Sequence, residues 1–343
     1  MAGLVAAARA RELGAKVAVY EKGERPGGSM YLSSGFVWRY REWDRFRAEC
    51  AGGDPELQRL VWERLDDDLA WLESQGVPVA ARDTGNELTT GLGFDPKGLT
   101  ETLTRRVDEI RLSEPLAELS ESVPVILATG GFQASTELVR SHITPEAPAL
   151  ILRSNPWSTG DGLRLARQRG AELSVGMDEF YGRNLAAAPR ITEVDFVPLA
   201  QVYARHARVE NLAGEPYEPR SWSDIDVVQW TARQAGARAR YIVPDEALRE
   251  PVRDRTIGDL IENARRAGAP VEGRNDSTAV EVVAGITTTL GGLRVDMRAR
   301  AAEGVYAAGA DVGGISTGGW SSALASALVF GKLAAEEAIA IAR

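Results

Sequence analysis

The 343-residue sequence has few of the side chains that build disulfide or metal sites. It contains one cysteine, Cys50, and two histidines, His142 and His206. A single cysteine excludes a disulfide framework within the chain, and so few thiols and imidazoles argue against a zinc or di-metal site. We therefore predict that no metal is bound, that Cys50 is a packed or surface thiol, and that His206 lies at a domain boundary.

The sequence also lacks a long apolar run and an excess of positive charge. No apolar stretch reaches the roughly 18 residues that a membrane span needs, and the first residues lack the basic segment and long apolar core of a signal peptide. The net charge of -9 disfavours nucleic acid as a partner, because phosphate backbones are bound by Lys and Arg. We expect a cytoplasmic protein with no membrane and no nucleic-acid partner.

The beginning of the chain is typical of the second half of a βαβ dinucleotide unit. Residues 3–13 predict a helix, Gly14 stands at its C-terminal cap, and residues 16–20 predict a buried strand that ends at Glu21. Such a unit opens with a strand and a Gly-x-Gly turn, and both are absent from this sequence. Of the glycines in the dinucleotide-binding motif, only the last could be present, at Gly3. We expect an N-terminal truncation, with Met1 an internal methionine.

The rest of the chain predicts alternating helices and strands around a different middle segment. Helices are predicted within 40–77 and over 98–106, 160–170, 224–235 and 323–342, and strands over 109–119, 124–129, 280–290 and 304–309. The simplest architecture is an α/β nucleotide domain split in sequence, with residues 1–155 and 279–343 forming its two parts and 156–278 inserted. Buried positions are predicted at Trp43, Phe46, Leu57, Leu60, Trp62, Leu65, Leu69 and Trp71.

Two early motifs indicate a nucleotide. A carboxylate at the end of the second strand, Glu21, can accept hydrogen bonds from ribose hydroxyls, although it could also be an exposed strand-end residue. The sequence Gly27-Gly28-Ser29 follows, where backbone N–H groups can approach a pyrophosphate or ribityl chain because no Cβ intervenes. A plain NAD-binding domain does not need this second glycine pair.

Three later motifs are expected to lie at the same nucleotide site. A strand ends in Thr129-Gly130-Gly131, the run Ser158–Gly162 leads into a helix, and Gly309 to Asp311 follows the last strand. Gly318-Gly319 then precedes the final helix, whose N-terminus offers free N–H groups and a positive dipole end near Ser322 and Leu324. A reduced, anionic flavin needs such a partner near N1 and O2.

In this order the motifs resemble the FAD-dependent oxidoreductase 2 family, which includes fumarate reductases, succinate dehydrogenase flavoproteins and 3-ketosteroid dehydrogenases. The resemblance implies a Rossmann-like FAD-binding domain split in sequence, with an inserted α+β capping domain. It also implies hydride transfer between flavin N5 and a C–C bond next to a carbonyl or carboxylate. The implied substrate is a small organic acid or ketone, with an unknown electron acceptor or donor.

Carried onto this sequence, the resemblance makes Glu21 the ribose ligand, Gly28 and Ser29 contacts to the pyrophosphate and ribityl chain, and Leu116 a backbone contact to adenine. Ser322 and Leu324 resemble the contacts to the flavin pyrimidine ring, and Asp311 replaces the usual Glu. The full set of predicted cofactor residues is Gly3, Glu21, Lys22, Gly27, Gly28, Ser29, Ser34, Gly35, Leu116, Thr129, Gly130, Gly131, Asp161, Gly309, Asp311, Gly319, Ser322 and Leu324.

The substrate residues of fumarate reductases are not recognisable. The stretch 285–292 lacks the family's histidine, 315–320 lacks its arginine, and no arginine stands at Ser223 or Asp224, where the proton donor would fall. The segments at 119–123 and 296–304 are also shorter than in the family. A dicarboxylate needs paired cations, so fumarate is disfavoured as a substrate.

The remaining catalytic candidates are Tyr181, Arg183 and Thr287. Asp224 and Arg233 are further candidates. Tyr181 could donate or accept a proton, as tyrosines do in the ketosteroid enzymes, or could pack at a hinge. Arg183 could pair with a carboxylate or be solvated. Two alternatives stay open. One is a truncated or degraded homologue that binds no FAD. The other is an NAD-dependent dehydrogenase, but the second glycine pair and the last strand argue against it.

Overall fold

The chain forms two compact units, each assembled from separate stretches of sequence. The computed structural model describes residues 1–218, 224–252 and 255–342. The first unit comprises Met1–Ser135, Ser154–Glu179 and Thr288–Arg343, and the second comprises Thr136–Arg153 and Phe180–Thr287. A domain split in sequence with an inserted second unit is therefore observed.

The first unit is a mixed α/β structure. Its helices are α1 (Ala2–Glu12), α2 (Trp43–Glu49), α3 (Pro55–Ser74), α4 (Pro96–Thr104), α6 (Asp161–Gln168) and α9 (Ala323–Ala342), with α5 (Thr136–His142), α7 (Asp224–Thr231) and α8 (Ile257–Arg266) belonging to the second unit. Its strands are β1 (Val19–Glu21), β2 (Phe36–Tyr40), β3 (Val79–Ala81), β4 (Thr89–Phe94), β5 (Ile110–Leu112), β6 (Val125–Leu127), β15 (Arg300–Ala302) and β16 (Val305–Ala307).

Parallel strand pairs place the predicted motifs of the first unit at strand ends. β1 pairs with β5, with Glu21 opposite Leu112, and β6 pairs with β16, with Leu127 opposite Ala307. Since parallel strands end at the same edge, the turn after β6 and the turn after β16 emerge side by side. β2, β4 and β3 form a separate antiparallel sheet.

Small side chains allow α1 and α9 to pack closely. Ala6 and Ala10 of α1 and Ala335 of α9 are buried in one cluster with the partly buried Ile126 of β6. A Cβ at Gly331 of α9 would lie 2.8 Å from the carbonyl oxygen of Ala2. The alanine-rich sequences at both ends of the chain therefore predict their close contact as well as their helicity.

The second unit has an α+β structure built on one sheet. Its strands are β7 (Ile151–Leu152), β8 (Phe180–Ala186), β9 (Arg208–Asn211), β10 (Arg238–Pro244), β11 (Pro251–Val252), β12 (Arg255–Thr256), β13 (Val271–Arg274) and the part of β14 (Ser277–Thr289) up to Thr287. The sheet runs β13-β14-β10-β9, and β7 and β8 also pair with β14. The core is closed by α7 and α8 and by an edge-to-face pair, Tyr203 and Tyr241.

The boundaries of the units differ from the predicted 155/156 and 278/279. Residues 136–153 belong to the second unit because β7 pairs in parallel with β14, whereas 154–179 belong to the first. The start of α6 is tied to the first unit by two bonds, from the Gly160 N–H to the Gly131 carbonyl at 3.0 Å and from the Gly162 N–H to Oγ1 of Thr129 at 3.1 Å. The composition of the sequence could not show these pairings, because they join residues far apart in the chain.

The predicted apolar face of 43–71 is confirmed only in part. Phe46, Leu57, Leu65 and Leu69 are buried, whereas Trp43, Leu60, Trp62 and Trp71 are partly exposed. The guanidinium of Arg59 lies 3.8 Å from the ring centroid of Trp43, and that of Arg39 lies 4.9 Å from that of Trp62. The tryptophans therefore form a cation-covered rim because an indole can bury one face and stack an arginine on the other.

Cys50 is a buried thiol, which is one of the two placements that the sequence left open. Burial raises its pKa to about 12, so the thiol carries no charge at neutral pH. Among the described residues, no helix is long and apolar enough to cross a membrane.

A buried ion pair joins α3 to α9. Nζ of Lys332 donates to Oδ1 of Asp68, and the two side chains are 9% and 2% exposed. The same ammonium lies 5.2 Å from the ring centroid of Trp71. Burial raises the pKa of Asp68, and the charges of Lys332 and Arg64 oppose that rise.

We predict that Lys332→Met lowers the free energy of unfolding by about 3–5 kcal/mol, because it leaves the buried carboxylate with only the more distant guanidinium of Arg64, whose Nε lies 3.8 Å from Oδ2. Chemical denaturation measures the change, and Lys16→Met, at an exposed position, is the control. The double variant D68N/K332M should recover most of the loss. A change for K332M within about 0.5 kcal/mol, the level of a surface substitution, would contradict this account.

Candidate functional site

The turn after β6 is held by the carboxylate of Asp311. Asp311 is fully buried; its Oδ2 accepts from the Thr129 N–H, and its Oδ1 accepts from Oγ1 of Thr129 at 2.9 Å and from the Gly131 N–H at 3.4 Å. Burial raises the pKa of this carboxyl, while the bonds from Thr129 and Gly131 oppose that rise. The carboxylate thus positions the Thr-Gly-Gly turn, and a direct contact with a cofactor stays a prediction.

The glycines of this turn are required by close contacts. Gly130 and Gly131 have φ of +91° and +84°, in the left-handed region. A Cβ at Gly130 would lie 2.6 Å from Oγ of Ser158, and one at Gly131 would lie 2.5 Å from Oγ1 of Thr289. Both positions therefore exclude a side chain for reasons of conformation and of space.

Two buried polar atoms face the same small space beside Gly131. Oγ1 of Thr289 and Oε1 of Gln133 have no hydrogen-bond partner among the described residues, and each side chain is 4% exposed. A Cβ at Gly131 would lie 3.0 Å from this Oε1. Buried polar groups normally have hydrogen-bond partners. A polar ligand next to this turn would therefore supply the partners that these two oxygen atoms lack.

Ser29 belongs to a hydrogen-bonded network that sequence reasoning missed. Its Oγ lies 2.5 Å from Oγ of Ser154 and accepts from Nδ2 of Asn155 at 2.7 Å. Gln133 donates to Ser154 at 3.1 Å, and Ser158 donates to the Thr129 carbonyl at 3.3 Å. The loop 154–158 therefore connects the Gly27-Gly28-Ser29 turn to the Asp311-held turn.

The predicted residues Lys22 and Asp161 bind each other. Nζ of Lys22 donates to Oδ2 of Asp161 at 2.8 Å and to Oγ1 of Thr159 at 2.6 Å. This half-exposed pair ties the loop after β1 to the first turn of α6. The ion pair therefore orders these two segments. Contacts from Lys22 or Asp161 to a cofactor remain predictions.

The end of β1 carries a carboxylate beside exposed apolar side chains. Oε1 of Glu21 accepts from the Gly23 N–H at 2.7 Å, which leaves its Oε2 outside that turn. Leu112, opposite Glu21 in β5, is 43% exposed, and Leu116 is 37% exposed. An acidic strand end next to an apolar surface suits a ribose and its base.

The second glycine motif adopts the conformation that its sequence predicts. Gly27 and Gly28 have φ of +103° and +54°, and a Cβ at Gly27 would lie 2.8 Å from Cγ2 of Thr100. Gly35 has φ of +74°, and a Cβ there would lie 1.9 Å from the carbonyl oxygen of Phe94, so its glycine is a structural requirement. Ser34 beside it is exposed.

The start of α9 lines a cleft in the first unit. Oγ of Ser322 accepts from the Ala325 N–H at 3.2 Å and caps the helix, and Leu324 lies half-buried in its first turn. The cavity within this cleft has a volume of about 30 Å³. It is lined by Thr288, Thr289, Leu290, Gly309, Ala310, Val312, Ile315, Ser316, Trp320, Ala323 and Ser326.

Two predicted glycines are fixed by neighbours of this cleft. Gly309 has φ of +69°, and a Cβ there would lie 3.0 Å from Cβ of Ala2. A Cβ at Gly319 would lie 1.8 Å from the carbonyl oxygen of Glu49. Gly3, in the first turn of α1, would bring a Cβ to 3.4 Å from that of Ala128, which is ordinary packing.

All predicted catalytic residues belong to the second unit. The guanidinium of Arg183 lies 5.4 Å from the ring centroid of Tyr181, two positions away on β8. Thr287, on β14, accepts a hydrogen bond at 2.8 Å from Nη1 of Arg153, a residue absent from the predicted set. All four side chains are partly exposed.

The remaining sequence candidates are Ser223, Asp224, Arg233 and His206. Ser223 lies outside the described residues, and Asp224 is described only as the first residue of α7. Arg233 donates to the Gln229 carbonyl at 3.0 Å beyond the end of α7. His206 accepts from Nε of Arg205 at 3.1 Å within the second unit.

One residue that the sequence analysis missed, Asn155, lies in a turn motif that is visible in the sequence. Asn155 precedes Pro156, and its Oδ1 accepts from the Trp157 N–H at 2.9 Å in an Asx turn. A Cβ at Gly23 would lie 2.5 Å from Cε3 of Trp157, so this ring covers the loop after Glu21. The Asn-Pro pair marks the turn, but the partners of the turn lie far away in sequence.

A family model described as an FAD binding domain matches residues 1–109 and 117–322. The cytochrome-type fumarate reductase of Shewanella frigidimarina is 24% identical over an alignment of 438 residues that covers 98% of this chain and 75% of that protein. Because the alignment is longer than the 343 residues of this chain, the relative carries additional segments.

Two solved structures share the fold. The open conformation of a flavocytochrome c3 fumarate reductase has a TM-score of 0.71 and 19% identity, with 98% of this chain and 76% of that chain covered. The 3-ketosteroid delta1-dehydrogenase from Sterolibacterium denitrificans has a TM-score of 0.72 and 17% identity, with 99% and 98% covered. The predicted family resemblance and the split α/β fold are both confirmed.

We predict that Asp311→Asn weakens FAD binding about ten- to a hundredfold, because the amide nitrogen cannot accept from the donors of the Thr129–Gly131 turn. Equilibrium titration with FAD measures the dissociation constant. Asp67→Asn, which removes an exposed charge from α3, is the matched control. Unchanged FAD affinity together with a lower melting temperature would show that the carboxylate supports only the fold.

Proposed function

Because this chain belongs to the FAD binding domain family, we propose that it transfers a hydride between flavin N5 and a substrate C–C bond next to a carbonyl or carboxylate. Its cofactor is FAD, and the family consists of flavin-dependent oxidoreductases. Fumarate reductase and ketosteroid dehydrogenase, named among its relatives and structural neighbours, both support a reaction at such a bond.

The observation that carries the proposal is the cleft at the N-terminus of α9. The first-turn N–H groups of Ala323 and Leu324 have no carbonyl four residues earlier within the helix, and the helix dipole is positive at this end. The buried Oγ1 of Thr289 lines the same cleft without a protein partner in the described chain. These groups suit the polar edge of a flavin ring, and FAD supplies the hydride chemistry when bound.

The other motifs of the first unit would hold the remainder of FAD. We assign Glu21 to the ribose and the apolar surface at Leu116 to adenine. Gly27, Gly28 and Ser29 would contact the pyrophosphate and ribityl chain through backbone N–H groups and one hydroxyl. The network from Ser29 to Ser158 supports this assignment because its side-chain hydrogen bonds fix the position of the turn.

The proton of the reaction is assigned to the second unit. Tyr181 would donate or accept it at Oη, with Arg183 over its ring to orient the phenol and Thr287 as a neighbouring hydroxyl. The described sequence lacks the histidine and arginine positions that dicarboxylate enzymes of the family use, so a small monocarboxylic acid or an enone is the favoured substrate over fumarate.

Anaerobic turnover tests the proposal. The FAD-loaded chain is photoreduced and then mixed with unsaturated acids and enones, and reoxidation is followed at about 450 nm, where bound oxidised flavin absorbs. The saturated counterparts with an artificial electron acceptor test the opposite direction. Reoxidation by at least one compound supports the proposal, whereas a flavin-loaded chain that reacts with none of them contradicts it.

The same experiment distinguishes an active enzyme from a degraded homologue that binds no FAD. A chain of that kind would fold without retaining flavin, so it would fail at the loading step rather than at turnover. The Asp311 turn favours a functional site, because its hydrogen bonds lie outside the contact between α1 and α9.

We predict that Tyr181→Phe lowers kcat by about 10²–10⁴-fold and leaves FAD content unchanged, because only the phenolic proton is lost. Steady-state kinetics over a pH series measures the effect, and the variant should also lose one limb of the pH profile. Tyr217→Phe, in the same unit with its hydroxyl bonded to Asp226, is the control. Equal losses in both variants would assign Tyr181 a packing role.

A further inference from the structure

A second pocket of the first unit shares no lining residue with the cleft at α9. It lies where α1, α3 and α4 end, and its cavity has a volume of about 390 Å³. Pockets that bind small molecules have volumes of about 300–1,000 Å³. Three arginines dominate its lining, which consists of Arg11, Gln75, Gly76, Thr102, Arg105 and Arg106.

Hydrogen bonds to neutral oxygens orient the three guanidiniums. Nη2 of Arg106 donates to the Gln75 carbonyl at 2.8 Å, and Nη2 of Arg105 donates to Oγ1 of Thr102 at 3.2 Å. Nη1 of Arg11 donates to the Arg106 carbonyl at 3.4 Å. Because none of these acceptors is charged, the bonds position the guanidiniums without cancelling their positive charges.

Acidic side chains balance only one of these charges. Nε of Arg11 lies 3.0 Å from Oδ1 of Asp108, whereas Arg105 and Arg106 form no ion pair within the described part of the chain. The nearby carboxylate of Glu12 binds Nη1 of Arg9 at 3.1 Å. Two positive charges are therefore in excess at this pocket, although the net charge of the chain is -9.

The capping of the helices does not account for this excess. Helix C-termini carry partial negative charge, which basic side chains often offset. Here backbone N–H groups of Gly14, Gly76 and Val107 already donate to last-turn carbonyls of α1, α3 and α4, at 2.9, 2.9 and 3.1 Å. Arg105 donates to the Thr102 hydroxyl rather than to a helix-end carbonyl, so its charge is not used as a cap.

We propose that this pocket binds the phosphate group of a small phosphorylated molecule, with Arg105 and Arg106 as its main ligands and Arg11 as a third cation. The N–H fork of a guanidinium matches phosphate oxygens, and a phosphate monoester carries a charge of about -1.5 to -2 at pH 7. Such a group matches the two unbalanced charges. Because the pocket shares no residue with the flavin cleft, the inference does not rest on the proposed function.

Calorimetric titration of the full chain, saturated with FAD so that the cofactor site is filled, tests the assignment. The probes are inorganic pyrophosphate, glucose 6-phosphate and AMP, with glucose and adenosine as counterparts that lack the phosphate. The variants are R105Q and D108N. R167Q, which removes an exposed arginine from the last turn of α6, and D67N, which removes an exposed acid from α3, are the matched controls.

We expect pyrophosphate and at least one monoester to bind, and neither uncharged counterpart. R105Q should raise the dissociation constant about tenfold or more, because one charge-assisted contact is lost. D108N should lower it about threefold or more, because the guanidinium of Arg11 loses its carboxylate partner. R167Q and D67N should match the wild type. A gain of affinity in D108N is a result that damage to the fold would not produce.

A wild-type chain that binds none of the three anions would overturn the assignment, as would adenosine that binds as tightly as AMP. Equal losses in R105Q and R167Q, or equal gains in D108N and D67N, would also overturn it, because the effect would then follow net charge rather than this pocket. D108N that binds no more tightly than the wild type would contradict the role of Arg11.

Discussion

A buried carboxylate joins the ends of the parallel strands β6 and β16. Asp311 follows β16, and its oxygens accept from the backbone and side chain of the turn that follows β6. A fully buried charge is costly unless it is hydrogen bonded, so the turn and the carboxylate require each other. The position of Gly131 and the start of α6 are tied to this pairing.

Close backbone approach is the second condition of the site. At Gly27, Gly130 and Gly131 a left-handed backbone coincides with a neighbour that leaves no space for a side chain. Gly319 and Gly331 require close contact without that conformation, because the carbonyls of Glu49 and Ala2 lie where a Cβ would stand. The glycines therefore act in packing as much as in cofactor recognition, which a motif alone does not distinguish.

Local patterns could be predicted from the sequence, and distant pairings could not. The bounds of α9, the strand end at Glu21 and the turn at Gly27-Gly28 follow from periodicity and from glycine chemistry. The network of Ser29 with Ser154 and Asn155 joins residues more than a hundred positions apart, and so does the bond from Arg153 to Thr287. The unit boundaries were misplaced for the same reason, since the pairing of β7 with β14 leaves no local signal.

The central claim is that the cleft at the N-terminus of α9 binds the flavin ring. A crystal structure of the chain with FAD tests it most directly. The account predicts the polar edge of the ring beside the first-turn N–H groups of α9, with Oγ1 of Thr289 hydrogen bonded to the ligand. FAD bound elsewhere, or a cleft that stays empty at saturating FAD, would contradict the account.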